Sequence, residues 1–426
     1  MKLKLIIPGW SRTSIWKGFM FRFPYLSVTT LAALTPAGWD ITIADENVSP
    51  LDFDEQVDLV GITALTPLAP RAYEIAAEFR KRGVKVVMGG FHATWLPEEA
   101  GRHVDTVVIG EAESVWKEIL ADFTDDRMQR VYQGKKSEGI SGVPVARRDL
   151  LDRSGYFFIN TMQTTRGCPF DCEFCSVTAF YGHSYRMRPL DEVEKELHSL
   201  KGNANFLFIV DDNIAGSPDY AKELFRVFKK FRFKWLSQAS VTFAENSELL
   251  RLAQESGCFG MFMGFESLSQ DALNRLNKRF NKAEKYAELI KRIHDHGMGI
   301  QGSFIFGYDW DTRDTFEEVL EFVEKVRLDS VLFTILTPFP GTRVFERMKR
   351  DERLITEDWR LYDMAHAVFR PKNMEPEELE TKFLEANRKF YSAGSMLKRL
   401  PALRRSIIVF GPMNWGFRQA WKNFEF

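Results

Sequence analysis

The stretch from Arg166 to Cys175 reads RGCPFDCEFC and contains three of the four cysteines of the chain, Cys168, Cys172 and Cys175. Side chains with this spacing converge on one centre only in a loop, and the glycine and proline inside the stretch favour a loop. Three thiolates leave one iron of a four-iron cluster without a protein ligand, so that another molecule can chelate that iron. The spacing therefore predicts an open [4Fe–4S] cluster.

Two other interpretations of the three cysteines stay open from the residues alone. A structural zinc site would need a fourth ligand, for which His183 is the nearest candidate. The three thiols could also be unrelated buried cysteines, as we expect for Cys258 in its apolar surroundings. A disulfide framework would spread its cysteines along the chain, so the clustering favours a reducing, cytoplasmic location.

The cysteine loop follows the first strand of a series in which strand and helix patterns alternate. Six apolar segments are predicted as its strands: Phe157–Gln163, Phe206–Val210, Trp235–Ala239, Gly260–Phe265, Gln301–Phe306 and Val331–Leu336. Six repeats are fewer than a closed eightfold barrel requires. We therefore expect an open, partial (β/α)6 barrel.

An earlier alternating series lies upstream of the loop. Its buried parallel strands are predicted at Leu3–Pro8, Ile41–Ala44, Leu59–Thr63, Val84–Met88 and Thr106–Ile109. This pattern indicates a doubly wound, Rossmann- or flavodoxin-like sheet with a ligand crevice at the carboxyl ends of its strands. The predicted fold class is thus α/β, with a doubly wound domain over 1–125, a linker over 126–156, the partial barrel over 157–345 and a helical C-terminal region over 346–426.

Composition excludes some classes of function. The formal net charge of −1 gives no electrostatic reason to expect nucleic acid as a partner. No apolar run is long enough for a spanning helix, and the first residues read as a β-strand and not as a signal peptide. The segment 398–415 mixes basic and apolar residues, which is typical of a helix packed on the barrel or of a weak membrane-surface contact.

The spacing of the three cysteines, with Phe174 before the last one, resembles the radical S-adenosylmethionine (SAM) superfamily. A doubly wound domain ahead of the barrel resembles its cobalamin-binding class, as do the segments Gly89–His92 and Gly110–Glu113. The segments Thr337–Thr342 and Asp358–Trp359 resemble members that act on lipids and tetrapyrroles. The resemblance implies that SAM chelates the open iron and that one electron then cleaves it to a 5′-deoxyadenosyl radical.

The resemblance also implies cofactor contacts at the strand ends. For SAM these are Asp211, Asp212, Gln238, Ser240, Glu266 and Thr337, and for cobalamin they are Thr63, Thr66, Gly89 and Gly90. The Asp-x-His-x-x-Gly motif that supplies a histidine to cobalt in many cobalamin proteins is absent around His92. A domain that kept this fold and lost cobalamin therefore stays an alternative. Arg186 and Arg188 could meet a carboxylate or be solvated.

The resulting hypothesis is cobalamin-dependent methylation of an unactivated carbon. Cobalamin-independent cyclisation, rearrangement or dehydrogenation is the second candidate, and a cofactor carrier or chaperone without turnover is the third. Methylthiotransfer to RNA would need a second cluster, and residues 1–167 contain no cysteine. The expected partners are a small-molecule or lipid-like substrate and a reductant such as flavodoxin or ferredoxin. No catalytic residue is identified, since His183, Tyr185 and Asp309 are candidate proton donors by location alone.

Overall fold

The computed structural model describes residues 1–18, 22–136, 139–157, 160–202, 206–399 and 406–426. These residues form two six-stranded sheets and one two-stranded hairpin. The strands are β1 Lys2–Ile7, β2 Asp40–Asp45, β3 Leu59–Thr63, β4 Lys85–Gly89, β5 Thr106–Ile109, β6 Val131–Gln133, β7 Thr161–Met162, β8 Thr165–Gly167, β9 Tyr185–Met187, β10 Phe206–Ile209, β11 Lys234–Ala239, β12 Cys258–Glu266, β13 Gly299–Phe306 and β14 Ser330–Ile335.

Helices connect most of the strands. They are α1 Leu26–Leu34, α2 Ala69–Lys81, α3 Phe91–Trp95, α4 Pro97–His103, α5 Trp116–Thr124, α6 Ser176–Tyr181, α7 Leu190–Leu200, α8 Pro218–Lys229, α9 Ser247–Glu255, α10 Gln270–Arg275, α11 Tyr286–Asp295, α12 Arg313–Lys325, α13 Arg343–Arg350, α14 Pro376–Phe390, α15 Ala393–Arg399 and α16 Ile407–Asn423. None of the helices in the described residues is long and apolar enough to cross a membrane.

The first sheet is parallel throughout and has the order β2-β1-β3-β4-β5-β6. One apolar core covers the face under α2, and a second covers the face under α1 and α5. The doubly wound prediction is thereby confirmed. The sixth strand, β6, lies in the segment predicted as a linker. Its three residues include one buried side chain, Tyr132, so no apolar run marks it in the sequence.

The second sheet is also parallel and has the order β14-β13-β12-β11-β10-β7. It stays open between its edge strands β14 and β7, which confirms the partial six-stranded barrel. Its first strand is much shorter than the predicted Phe157–Gln163, since β7 comprises two residues and residues 158–159 lie outside the described part of the chain. The domain boundaries at 125, 156 and 345 remain predictions.

Helix α16 packs across the amino-terminal end of the barrel. Its Phe410 ring fills the space over two neighbouring glycines, and a Cβ atom would stand 2.8 Å from that ring at Gly260 and 2.6 Å from it at Gly299. The side-chain amide of Asn414 donates to the carbonyl oxygen of Asp329 at 2.8 Å. The C-terminal pattern is therefore that of a packed helix in residues 407–423, whereas residues 400–405 of the same pattern lie outside the described residues.

Candidate functional site

The three predicted cluster ligands lie on the loop between β8 and α6. Strand β8 pairs with β9 in an antiparallel hairpin that precedes and follows this loop. Gly167 has a φ of +83°, and a Cβ atom there would stand 2.3 Å from the carbonyl oxygen of Ser184. A side chain at position 167 would therefore push the two strands of the hairpin apart, directly before Cys168. Helix α6 starts directly after Cys175, so the loop is fixed at both ends.

Contacts from the later part of the barrel hold the middle of the loop. The rings of Phe170 and Phe280 stack with their centroids 3.5 Å apart. Arg347 donates to the carboxylate of Glu173 at 2.6 Å, and the Thr178 hydroxyl donates to the Phe170 carbonyl oxygen at 3.1 Å. The two acids beside Cys172 are thus each paired with an arginine, Asp171 with Arg343 and Glu173 with Arg347, and are not available as metal ligands.

The surroundings of the thiols fit an iron–sulfur cluster. Burial raises the pKa of all three thiols, that of Cys172 to about 12, so a bound metal centre is needed to hold them as thiolates. The side-chain amide of Asn213 points to the Cys168 sulfur at 3.7 Å, and the backbone N–H groups of Val177 and Thr178 donate to Cys175. Such N–H donors are the protein contacts that cluster sulfurs accept.

The zinc interpretation lacks support in the geometry. A single ion needs its ligands about 2 Å from one point. Among the described residues, no group of three or more His, Cys, Asp or Glu side chains is arranged in this way. His183, the candidate fourth ligand, is exposed. Ligands of a four-iron cluster bind separate corners of the cluster, so they do not need to surround a single point.

The two aspartates after β10 have different surroundings. Asp211 is fully buried and accepts hydrogen bonds from the Thr164 backbone at 2.6 Å and from the Thr165 hydroxyl at 2.8 Å. Asp212 is partly exposed and accepts one bond, at 2.9 Å, from the backbone N–H of Gly167. Burial raises the pKa of each carboxyl to about 6. Only Asp212 keeps an oxygen free to receive a ligand beside the cysteine loop.

Glu266 forms a buried ion pair at the end of β12. Its carboxylate accepts from the ammonium group of Lys278 at 2.6 Å and from the Ser303 hydroxyl at 3.4 Å. Burial lowers the pKa of Lys278, but the charges of Glu266 and of the nearby thiols, together with the hydrogen bond to Glu266, outweigh burial, and the pKa is raised. Lys278 also interacts electrostatically with Cys172. Glu266 has a φ of +66°, a conformation that non-glycine residues adopt rarely.

The three remaining predicted SAM contacts, Ser240, Thr337 and Gln238, lie at different depths in the barrel. The Ser240 backbone N–H donates to Asn213 at 3.3 Å, which links the end of β11 to the cysteine loop. The Thr337 hydroxyl donates to the carbonyl oxygen of Ile335 at 3.1 Å and is buried. Gln238 lines the cavity in the barrel lumen. It lies two residues before Ser240, nearer to the amino-terminal end of the barrel. It therefore lines a cavity under the predicted SAM layer.

A network of ion pairs joins the first sheet to the β8–β9 hairpin beside the cysteine loop. Glu111, just after β5, pairs with Arg166 at 2.6 Å and with Arg186 at 2.7 Å. Burial raises the pKa of Glu111, but the two guanidinium groups outweigh burial and hold the pKa below its usual value. Arg188 pairs with Glu196 in the barrel. Both Arg186 and Arg188 are buried, so the alternative that they are solvated is wrong.

A cavity of about 310 Å³ lies between the carboxyl edge of the first sheet and the barrel. Thr63, Gly89 and Gly90 line its sheet side, and Arg166 and Tyr181 are among the residues on its barrel side. A side chain at Gly90 would stand 2.8 Å from a backbone oxygen, and its φ is +102°. Because glycine has no side chain, a large flat ligand can approach the backbone closely at this edge of the sheet.

One histidine and one threonine of this domain, His92 and Thr66, do not line the cavity. His92 is buried, and its Nε2 atom lies 2.9 Å from the Tyr73 hydroxyl and 3.3 Å from Glu99. Thr66 is buried in the turn after β3 and does not line the cavity. Cobalamin bound at this cavity would therefore receive no ligand from His92, and the predicted role of Thr66 has no support in this geometry.

A second cavity, of about 240 Å³, lies in the barrel lumen. It is lined by inward-facing residues of β10 to β14 and by α16, and none of the described residues that line it is charged. Phe23 lines both cavities and packs edge-to-face on Phe208, with ring centroids 4.7 Å apart. The two cavities therefore meet at one aromatic side chain.

Four residues of the site were not predicted as functional: Asn213, Lys278, Glu111 and Phe23. Asn213 directly follows the two aspartates, so its position at a strand end was a usable signal. Glu111 was recognisable only as a charge after a glycine at a strand end, whereas Lys278 stands among polar and basic residues such as Asn277 and Arg279, which give no signal. Nothing in the sequence pairs Phe23 with the barrel.

Comparisons with known proteins agree with this geometry. The family model of the radical SAM superfamily matches residues 162–323, and the model of the B12 binding domain matches residues 21–120. The solved structure of the radical SAM methyltransferase TsrM from Kitasatospora setae, with cobalamin and a [4Fe–4S] cluster bound, covers 90% of this chain and 81% of its own. Its TM-score is 0.67 at 18% identity, which shows the shared fold.

Two curated relatives extend over nearly the whole chain. Bacteriochlorophyllide d C-12(1)-methyltransferase of Chlorobaculum tepidum is 34% identical over 92% of this chain and 86% of its own length. Bacteriochlorophyllide d C-8(2)-methyltransferase of the same organism is 31% identical over 88% of this chain and 87% of its own. Together with the cysteine loop and the two cavities, these matches show that the chain belongs to the cobalamin-dependent methyltransferases of the radical SAM superfamily.

Proposed function

We propose that the substrate is an apolar, polycyclic small molecule of the tetrapyrrole class, methylated at an unactivated carbon of a peripheral substituent. The observation that carries this proposal is the meeting of the two cavities at Phe23. A molecule that reaches into the uncharged lumen would present its edge to the cavity at the first sheet. The names of the two relatives support the tetrapyrrole class.

When bound, the cluster supplies the electron that cleaves SAM, and cobalamin carries the methyl group. The chain supplies the positions of these groups. Cys168, Cys172 and Cys175 would hold the cluster, and the free oxygen of Asp212 would receive the SAM ammonium group. Gly89 and Gly90 would admit the corrin ring, and the uncharged walls of the lumen cavity would exclude water from the substrate.

The different surroundings of the two aspartates predict different losses. In Asp211→Asn, a buried carboxylate that holds Thr164 and Thr165 is lost, so unfolding free energy falls by about 1–3 kcal/mol. In Asp212→Asn, the fold is kept and SAM binds roughly 10- to 100-fold more weakly, because a charge-assisted contact is lost. Denaturant unfolding and equilibrium dialysis with SAM measure these effects. Equal loss of SAM affinity in both variants at unchanged stability would contradict the assignment.

The substrate class is tested with the cobalamin-loaded, cluster-reconstituted chain under strong reductant. Bacteriochlorophyllide d is offered beside a pentacyclic triterpene, and products are identified by mass spectrometry. We expect the tetrapyrrole to gain one methyl group and the triterpene to stay unchanged. Methylation of the triterpene alone would replace the tetrapyrrole by a lipid-like substrate.

We infer further that the electron comes from a small reductant protein such as flavodoxin or ferredoxin and that the chain works in the cytoplasm. All four cysteines are free thiols in the structure, which suits a reducing compartment. Exchange of dithionite for reduced flavodoxin in the same assay tests the first inference. Turnover with dithionite and none with either reductant protein would contradict it.

A further inference from the structure

The lumen cavity has a floor that comes from a distant part of the chain. Leu236, Gly260 and Gly299 lie side by side in register at the bottom of the barrel. The two glycines leave the space that the Phe410 ring of α16 occupies. Phe410 is buried, and its ring atoms are the atoms of α16 that a Cβ atom at Gly260 or Gly299 would meet. The ring therefore closes the lumen from below.

The layer above this floor carries two amides. Gln238, Phe262 and Gln301 lie side by side in register and line the cavity. Among the described residues, no hydrogen bond engages the side-chain amide of Gln238 or Gln301. Amides in an otherwise apolar enclosure favour a ligand that offers a hydroxyl or carbonyl group, because an unpaired amide there is costly.

The ceiling of the cavity is the predicted SAM layer. Leu332 lines the cavity and is in register with Ser303, whose hydroxyl donates to Glu266. Strand geometry places this layer roughly 13 Å above Gly260 and Gly299, that is, four residues along the strands. The lumen is thus a chamber of fixed depth between Phe410 and the radical-generating layer. Its walls include Phe208, Met413 and Phe417 and carry no charge.

We propose that this chamber binds an uncharged hydrocarbon arm of the substrate that bears a hydroxyl or carbonyl group, and that Phe410 sets the length of arm that fits. The inference deepens the proposed function, on which its link to the substrate rests. A carboxylate would lose its hydration here without meeting a cation, so a charged arm is excluded. Gln238 and Gln301 would bind the polar group of the arm, and Phe410 would contact its end.

The test uses straight-chain alcohols of increasing length that carry a terminal diazirine, together with the carboxylic acids of the same lengths. The cluster-reconstituted full chain is irradiated with each probe, and labelled peptides are located by mass spectrometry. We expect the alcohols to label residues 409–417 and the acids to label them at least about tenfold less. In Phe410→Ala, the longest alcohol that labels efficiently should gain about two to four methylene groups, the space of the lost ring.

Phe424→Ala is the matched control, because Phe424 is buried in the same C-terminal region, packs on Trp421 and does not line the chamber. It should leave the length limit unchanged. If Phe410→Ala fails to fold, Phe410→Leu replaces it, with a smaller gain in the same direction. Labelling outside the chamber lining, equal labelling by acids, or an unchanged limit in the folded Phe410 variant would overturn the proposal. Because labelling needs no turnover, chamber labelling without tetrapyrrole methylation would uphold this inference and overturn the substrate class.

Discussion

Replacement of Cys168, Cys172 or Cys175 by alanine is expected to lower 5′-deoxyadenosine formation from SAM by at least about 10³-fold, equivalent to roughly 4 kcal/mol of barrier. The two thiolates that remain in each variant leave two irons of the cluster without protein ligands, so the cluster is lost or no longer has the one open iron that SAM chelates. Iron and sulfide content, with 5′-deoxyadenosine measured by chromatography, report the two effects separately.

The fourth cysteine provides the control for this experiment. Cys258 is buried at the start of β12, and its thiol points to the carbonyl oxygen of Gly260 at 3.6 Å, away from the cysteine loop. Cys258→Ala should retain the iron content and most of the SAM cleavage. An equal loss in Cys258→Ala, or an intact cluster in Cys172→Ala, would contradict the assignment of the three ligands.

The second large effect is expected at the buried ion pair. Lys278→Met leaves the Glu266 carboxylate buried without its cation, and Glu266→Gln leaves the ammonium group without its anion. Each change should lower unfolding free energy by about 3–5 kcal/mol, because an uncompensated charge is buried. The double variant Glu266→Gln/Lys278→Met removes both charges and should regain at least half of the loss. Denaturant unfolding of the four proteins gives the coupling energy.

An exposed pair gives the scale for comparison. Lys230 and Glu194 form an ion pair at 3.0 Å on the barrel surface. Lys230→Met should cost less than about 1 kcal/mol, since solvent screens this pair. If the losses from Glu266→Gln and Lys278→Met simply add in the double variant, the two side chains are not coupled and the pair does not hold this end of β12.

Local patterns in the sequence were sufficient to predict the two parallel sheets and the cysteine loop. Buried parallel strands appear as uninterrupted apolar runs such as Phe206–Ile209, and thiols within a few residues of each other need no tertiary information. Strand β6 escaped prediction because pairing with β5, and not its own apolarity, makes it a strand. Its backbone bonds to Ile109 and its neighbours are visible only in the folded chain.

Long-range partners account for what the sequence could not predict. In the sequence, Gly260 and Gly299 look like ordinary strand glycines. In the structure, the ring of Phe410, more than a hundred residues later, fills the space beside them. Lys278 lies outside every motif and becomes significant only through Glu266 and Cys172. Asp211 and Asp212 are equivalent in sequence, and their different hydrogen-bond partners separate a buried structural carboxylate from one that can receive a ligand.

The central claim is that the cysteine loop of this chain generates a radical from SAM beside a bound cobalamin. The most direct measurement is made on protein purified anaerobically from cells supplied with cobalamin, then reduced with dithionite in the presence of SAM. We predict corrin and broad iron–sulfur absorption bands in one spectrum, and 5′-deoxyadenosine that forms with time. A chain that holds an intact four-iron cluster and corrin and yet forms no 5′-deoxyadenosine would contradict the account.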